Sequence, residues 1–252
     1  MRPSNQQDVD PWLLADYYSQ FYFATYDAEP YSRENPTWQR FFGSIADAVV
    51  AEISPRTALD AGCGIGLLVE ALRDRGVDAW GIDVSSYAIS QVRDDLAEYC
   101  RVASITDELD GQFDLIISIE VLEHLPEHLA HTAVANIAAH CDDVLFSSSP
   151  SDFRDPSHQN VQPPGYWVRL FARHGFYRDL DFDATFVSPH ARRFRRTGPV
   201  LPVLDAYERR LARLETEIQA VREVNMSYSE DRANLTQKVE ELQAELDQLR
   251  ER

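Results

Sequence analysis

Between Pro55 and about Pro199 the sequence alternates short apolar runs with amphipathic ones: "TALDA", "LLVEALRDRG", "DAWGIDV", "YAISQVRDDLAEY", "RVASI", "FDLIISI", "LAHTAVANIAAHC" and "DVLFSSS". Runs apolar at nearly every position suit strands covered on both faces, and an amphipathic segment between each pair suits a crossover helix. The rhythm therefore predicts an α/β fold built on a parallel sheet with helices on both faces. After it, "PGYWVRLFARHGF" reads as a helix ended by Gly175, and "YRDLDFDATFVSP" with "HARRFRR" as an antiparallel pair that closes the sheet. Ahead of it, "WLLADYYSQFYFATY" and "WQRFFGSIADAVVAEI" carry helical periodicity and predict a cap over the edge or mouth of the sheet. Three segments are expected: a helical cap over 1–54, the α/β domain over 55–199, and a separate helix over 200–252.

That last segment has its own signature. With Leu204 at heptad position a, Leu204, Tyr207, Leu211, Leu214, Ile218, Val221, Asn225, Tyr228, Arg232, Leu235, Val239, Leu242, Leu246 and Leu249 fall on successive a and d positions without a break. Such spacing predicts a coiled coil. In a parallel, in-register homodimer Arg210 would face Glu215, Glu217 would face Arg222 and Glu245 would face Arg250, all of opposite sign. The same tail could tether the chain to a glycan-assembly partner.

Charge and composition narrow the chemistry. The 252 residues carry a formal net charge of −18, which argues against a nucleic-acid-coating surface. No apolar stretch approaches the roughly 20 residues that span a bilayer, and "MRPSNQQDVDPW" lacks the apolar core of a secretory leader, so the expected compartment is the cytoplasm. Cys63, Cys100 and Cys141 are odd in number and far apart, as reduced thiols would be. Lys238, the only lysine, lies in the tail, which leaves no core lysine for a Schiff base or a P-loop.

"TALDAGCGIG" sets an apolar strand directly before Gly62, Gly64 and Gly66, with a helical segment directly after. A loop of this kind lets backbone approach a ligand at a helix N-terminus. "AWGIDVS" then ends a second strand on Asp83, where an α/β nucleotide fold presents an acid to ribose hydroxyls. Leu67 stands where the dinucleotide pattern would need its third glycine, so pyrophosphate binding is not favoured. With "FDLIISIEVLEHL" following in order, residues 55–150 resemble the small-molecule branch of the class I S-adenosylmethionine-dependent methyltransferases, whose sheet is Rossmann-like. The resemblance implies that Asp60 and the glycine loop face the methionine part of S-adenosylmethionine and that Asp83 holds the ribose diol. Val84, Ser104 and Ile105 would flank adenine, with backbone groups or Asp107 completing its recognition.

Glu120, Glu123 and His124 stand where the fourth strand opens onto the ligand crevice, and an i, i+3, i+4 spacing would put them on one side of a helix. The long loop "SSSPSDFRDPSHQNVQPPGYW" on the same edge adds His158. Glu120, Glu123, His124 and His158 together are similar to the ligand set of metal-dependent O-methyltransferases that act on vicinal hydroxyls. That likeness implies a divalent ion, Mg or Mn, which would lower the pKa of a chelated hydroxyl. Without a metal, Glu120 lies near the cofactor and His158 or His124 becomes the general base for an alcohol. "HARRFRR" offers arginines to an anionic acceptor, or ion pairs to surface carboxylates. Tyr26, Tyr31, Arg33 and Trp38 offer stacking for a sugar or a lid, or ordinary core packing. A looser resemblance to methyltransferases of surface-polysaccharide pathways points to a sugar or glycan hydroxyl as the acceptor. The other classes are a catalytically silent scaffold tethered by its coiled coil and a small-RNA 2'-O-methyltransferase.

Overall fold

The computed structural model describes residues 18–19, residues 30–197 and a set of helical positions between 203 and 239. The chain divides into two compact units, residues 1–199 and 200–252. The first unit holds one seven-stranded sheet in the order β3-β2-β1-β4-β5-β7-β6. Its strands are β1 (Thr57–Ala61), β2 (Asp78–Asp83), β3 (Cys100–Val102), β4 (Leu115–Ile119), β5 (Asp143–Ser147), β6 (Phe176–Arg178) and β7 (Arg192–Arg196). Strands β3, β2, β1, β4 and β5 are parallel, while β7 runs antiparallel to both β5 and β6. The two central strands that follow each other in space, β1 and β4, are far apart in sequence. The order therefore reverses between them, and the crevice at that reversal is where an open sheet binds ligands.

Each face of the sheet buries its own core. On one face Leu59, Ile116, Val144 and Phe146 pack against Val134 and Ile137 of helix α4 (Glu127–His140) and against Trp167 and Phe171 of α5 (Pro164–Ala172). Phe171 and Phe194 stack there with ring centres 4.4 Å apart. On the other face Ala58, Leu115, Ile117 and Leu145 meet Ile45 of α1 (Pro36–Ala48) and Leu68, Val69 and Leu72 of α2 (Leu67–Arg73). The α1 helix starts where the sequence says it should. Asn35 caps it by accepting from the Thr37 N–H, and Pro36 occupies the first turn, where a missing N–H costs nothing.

Two expectations are corrected. "YAISQVRDDLAEY" is not one helix but α3 (Ser86–Ser90) followed by a 3-10 turn over Asp94–Tyr99. Arg93 turns extended between them and its guanidinium reaches Glu70, Asp74 and Asp95, an ion-pair cluster that a continuous helix would not present. The expected strand "RVASI" shrinks to the three residues of β3, because the chain turns at Ser104, whose N–H donates to the Asp107 carboxylate. The first of the two predicted cap helices lies outside the described residues except for Tyr18 and Ser19, whereas the second is α1, extended by a π-helical turn over Val49–Ile53. No described helix is long and apolar enough to cross a membrane. The three cysteines are free and buried.

Candidate active site

A cavity of about 430 Å³ opens at the C-terminal ends of β1, β2 and β4. Asp60, Gly62, Gly64, Asp83, Val84, Ser104, Ile105, Glu120 and His124 all line it. Gly66, Glu123 and His158 do not. Gly66 instead caps α2 with a φ of 78°, so it shapes the loop without facing the cavity.

The glycine loop is built for close approach. Gly62 has a φ of 95°, and a Cβ there would lie 2.3 Å from a Val121 methyl. Gly64 has a φ of 53°, and its N–H donates to Asp83 at 2.9 Å. The second Asp83 oxygen accepts from the Ser85 N–H at 2.8 Å, so each oxygen keeps acceptor capacity for a ligand hydroxyl. Burial holds Asp83 above the usual carboxylate range, and burial together with the charge of Asp83 pushes Asp60 up to about 8. At neutral pH Asp60 is therefore an acid kept largely neutral. Asp107, the alternative adenine contact, is not among the lining residues and is occupied in capping the turn at Ser104.

These backbone facts make Gly62→Ala a sharp test of the loop. A left-handed φ and an overlap with a branched side chain should together cost roughly 2–4 kcal/mol of stability. Chemical denaturation of the variant checks this; an unchanged midpoint would mean that Val121 moves aside freely.

The acid–imidazole run does not form the helix that its spacing allowed. Glu120 takes a left-handed φ of 53°, and a short 3-10 turn follows over Leu122–His124. The turn gives the two carboxyl groups different surroundings while leaving them in contact: Glu120 lines the cavity, while Glu123 behind it is fully buried and accepts the Ser149 N–H at 3.0 Å. Burial, with the neighbouring Glu120 second, raises Glu123 well above its ordinary range, and its bond to Ser149 makes it a strut between the β4 turn and the loop after β5. The predicted metal set of Glu120, Glu123, His124 and His158 is thus not assembled. Among the described residues no three His, Cys, Asp or Glu side chains are placed to hold an ion.

The two histidines are neighbours, with ring centres 4.6 Å apart, but only His124 reaches the cavity. His158 has its Nδ1 on the Asp152 carbonyl at 2.7 Å. His124 has its Nδ1 2.9 Å from the Ser157 hydroxyl and its ring edge against Tyr18. Burial and then His158 hold His124 down to about 4, so it is a neutral imidazole at neutral pH. Of the predicted catalytic residues the structure therefore places Glu120 and His124 at the cavity and His158 behind His124.

The outer wall is aromatic: Tyr18, Tyr31, Trp38, Phe41 and Phe42 line it. Tyr31 packs edge-on against Trp38 at 5.0 Å, and a Cβ on Gly64 would touch its ring. Arg33 donates through Nε to Glu70 on α2 at 3.0 Å and so pins the segment over the glycine loop. Of the two readings of the β7 arginines, anion docking or ion pairing with surface carboxylates, the structure shows the ion pairs. Arg193 pairs with Asp143 and Asp179, and Arg195 lies beside the same two acids; Arg196 pairs with Asp142, and Arg192 donates to the carbonyls of Pro189 and Ala191. The β5–β7 register brings those acids alongside, which the linear sequence does not reveal.

Residues 38–181, more than half of the chain, match a protein family described as "Methyltransferase domain". Among curated proteins the chain is 32% identical over 109 residues to the ubiquinone biosynthesis O-methyltransferase of Methylococcus capsulatus, covering 38% of this chain and 44% of that one. The corresponding protein of Idiomarina loihiensis is 27% identical over 135 residues, covering 49% and 54%. The chain thus spans about half the length of these relatives. Among solved structures, magnesium protoporphyrin IX methyltransferase from Synechocystis with bound S-adenosylhomocysteine superposes with a TM-score of 0.57 at 17% identity, over 75% of this chain and all of that one. An amino pentose methyltransferase from Micromonospora echinaspora, solved with S-adenosylmethionine, superposes with a TM-score of 0.53 at 15% identity, over 70% and 98%. At these identities the structural likeness speaks for the fold.

Proposed function

The chain belongs to the methyltransferase-domain family, and from that membership we propose that it is an S-adenosylmethionine-dependent O-methyltransferase acting on a hydroxyl of a small ring-bearing acceptor, a sugar or glycan intermediate. The observation that carries this reading is the neutral His124 imidazole at the same cavity as the glycine loop and Asp83. The cavity fits the cofactor in its donor set. Left-handed glycines leave room for backbone to approach it, Asp83 offers acceptors to a diol, and Asp60 offers a latent negative charge to a cation. When bound, S-adenosylmethionine supplies a sulfonium methyl whose C–S electron pair leaves with sulfur as an acceptor oxygen attacks. The residues of the chain do the rest. His124 takes the hydroxyl proton, Glu120 borders the reacting region, and the aromatic wall lays a ring flat while excluding water.

A phenolic hydroxyl is the second reading, favoured by the curated relatives and by a wall that would stack an aromatic ring as readily as the apolar face of a sugar. A panel of nucleotide-linked sugars and catechols, read by mass for a gain of one methyl group, separates the two. Transfer to neither, with cofactor binding intact, would favour the silent scaffold.

Two binding experiments test the cofactor site apart from the acceptor. Asp83→Ala should weaken S-adenosylmethionine binding by roughly 1–3 kcal/mol, the range for hydrogen bonds to a charged acceptor. Unchanged affinity by calorimetry would remove Asp83 from the diol site. Asp60, raised to about 8 in the empty protein, should lose its proton when a cation binds beside it. Binding at pH 7 should then release close to one proton, and affinity should rise with pH by up to about tenfold per unit below 8. Calorimetry in buffers of different ionisation enthalpy counts that proton; a count near zero would place the cation elsewhere.

A further inference from the structure

Behind His124 lies a hydrogen-bonded chain through Ser157 to Asp155. We propose that Ser157 and Asp155, in the loop after β5, are positioning residues that hold His124 as its Nδ1–H tautomer and leave Nε2 as the proton acceptor for the methyl transfer. The inference rests on the O-methyltransferase reading for its purpose, but not for its geometry.

Hydrogen-bond direction carries the argument. Asp155 Oδ1 receives both the Ser157 N–H at 2.8 Å and the Ser157 hydroxyl at 2.6 Å. A serine hydroxyl has a single hydrogen, and here it goes to the carboxylate. Toward His124 Nδ1, 2.9 Å away, the Ser157 oxygen can therefore only accept. The imidazole must carry its hydrogen on Nδ1, and in the neutral ring the lone pair is then on Nε2. Ser157 is 4% exposed, so water does not compete for this bond. The second oxygen of Asp155 lies 4.0 Å from His158 Nε2, beyond hydrogen-bonding distance, and His158 is anchored through Nδ1 to the Asp152 carbonyl. Main-chain groups of Ser157 and Glu120 also face the His124 ring.

An acid that fixes the tautomer of a catalytic histidine does so without touching substrate, and the arrangement places a hydroxyl between the two. The sequence signal was "DPSH", where Asp at i accepts from the backbone N–H at i+2 and so folds the serine back over its own carboxylate. His158 is a candidate ligand by its type and place, whereas Ser157 directly before it and Asp155 three positions before it do the orienting.

Nitrogen-15 NMR of the full-length chain reads the tautomer directly, with no acceptor required. The expected result is a pyrrole-type Nδ1 and a pyridine-type Nε2 for His124, becoming a tautomer mixture in Ser157→Ala and returning to the first state in Ser157→Thr. With whichever of UDP-glucose or 3,4-dihydroxybenzoate is methylated, Ser157→Ala and Asp155→Asn should lower kcat about 10- to 100-fold while the calorimetric affinity for S-adenosylmethionine stays as in the parent. Ser157→Thr should recover most of the rate. A protonated Nε2 in the parent protein overturns the proposal, as does a full kcat in Ser157→Ala. If neither acceptor is methylated but the tautomer behaves as described, the relay stands and the O-methyltransferase reading is what fails.

Discussion

Replacing His124 with glutamine should lower kcat by about 10²- to 10⁴-fold, the usual worth of a positioned general base, while the protein still folds and binds S-adenosylmethionine. Glutamine keeps a polar group of similar length beside Ser157 but has no lone pair basic enough to take a hydroxyl proton. The pH dependence carries the same signature. Burial and the neighbouring His158 hold His124 down to about 4, so at saturating cofactor and acceptor kcat should stay level well below the ordinary histidine range and fall only near pH 4. Stability moves with it. Above pH 6.5 the imidazole is neutral in both folded and unfolded chains and contributes no pH dependence. As pH falls from 6.5 toward 4 the unfolded chain takes up a proton that the folded one refuses, so stability is lost at about 1.4 kcal/mol per unit. His124→Gln should remove that slope. A variant with the parent's kcat would take His124 out of the reaction, whatever the tautomer experiment shows.

The second large effect concerns the tail. Full-length protein should be a dimer at micromolar concentration, and Leu211→Asp combined with Ile218→Asp should make it monomeric. In a single chain Leu211 is 50% exposed, Ile218 49%, Val221 60% and Leu235 67%, a row of apolar side chains that a lone helix leaves in water. The described residues of this unit are helical, which is the geometry that brings the 3–4 spacing onto one stripe. Each buried Leu or Ile is worth roughly 1.5–3 kcal/mol, and a dimer carries four such substitutions. The dissociation constant should therefore rise by at least about 10⁴-fold. In one chain Arg210 sits 3.9 Å from Glu217, a contact its side chain would exchange for Glu215 of a parallel second copy. Light scattering decides. Unsubstituted protein that is monomeric at tens of micromolar would end the coiled-coil reading, and calorimetry on the variant would show whether cofactor binding is independent of association.

Local chain chemistry was legible in the sequence. The strand, glycine loop and helix around Gly62 and Gly64 follow from two short-range facts: apolar runs select strands, and a tight turn with a left-handed φ selects glycine. Asp83 was legible for the same reason, since it ends a strand two residues before the serine that caps the next helix. The antiparallel closing of the sheet and the helix before Gly175 were also readable from their patterns, although β6 keeps only Phe176–Arg178 and most of the expected strand "YRDLDFDATFVSP" is turn and loop. What the tertiary structure alone decided is where the polar side chains between those elements point. Spacing put Glu120, Glu123 and His124 on one face, but the left-handed turn at Glu120 sends one carboxyl to the cavity and buries the next. The sequence left open whether the arginines of β7 meet an anion or carboxylates of the chain, because their partners, Asp142, Asp143 and Asp179, come alongside only through strand register. His124 meets Ser157 across 33 positions of sequence, a contact no local rule encodes. Backbone propensity acts over a few residues. The direction of a buried polar side chain is set by whichever partner can satisfy its hydrogen bonds once the chain has folded, and that partner can lie anywhere in the sequence.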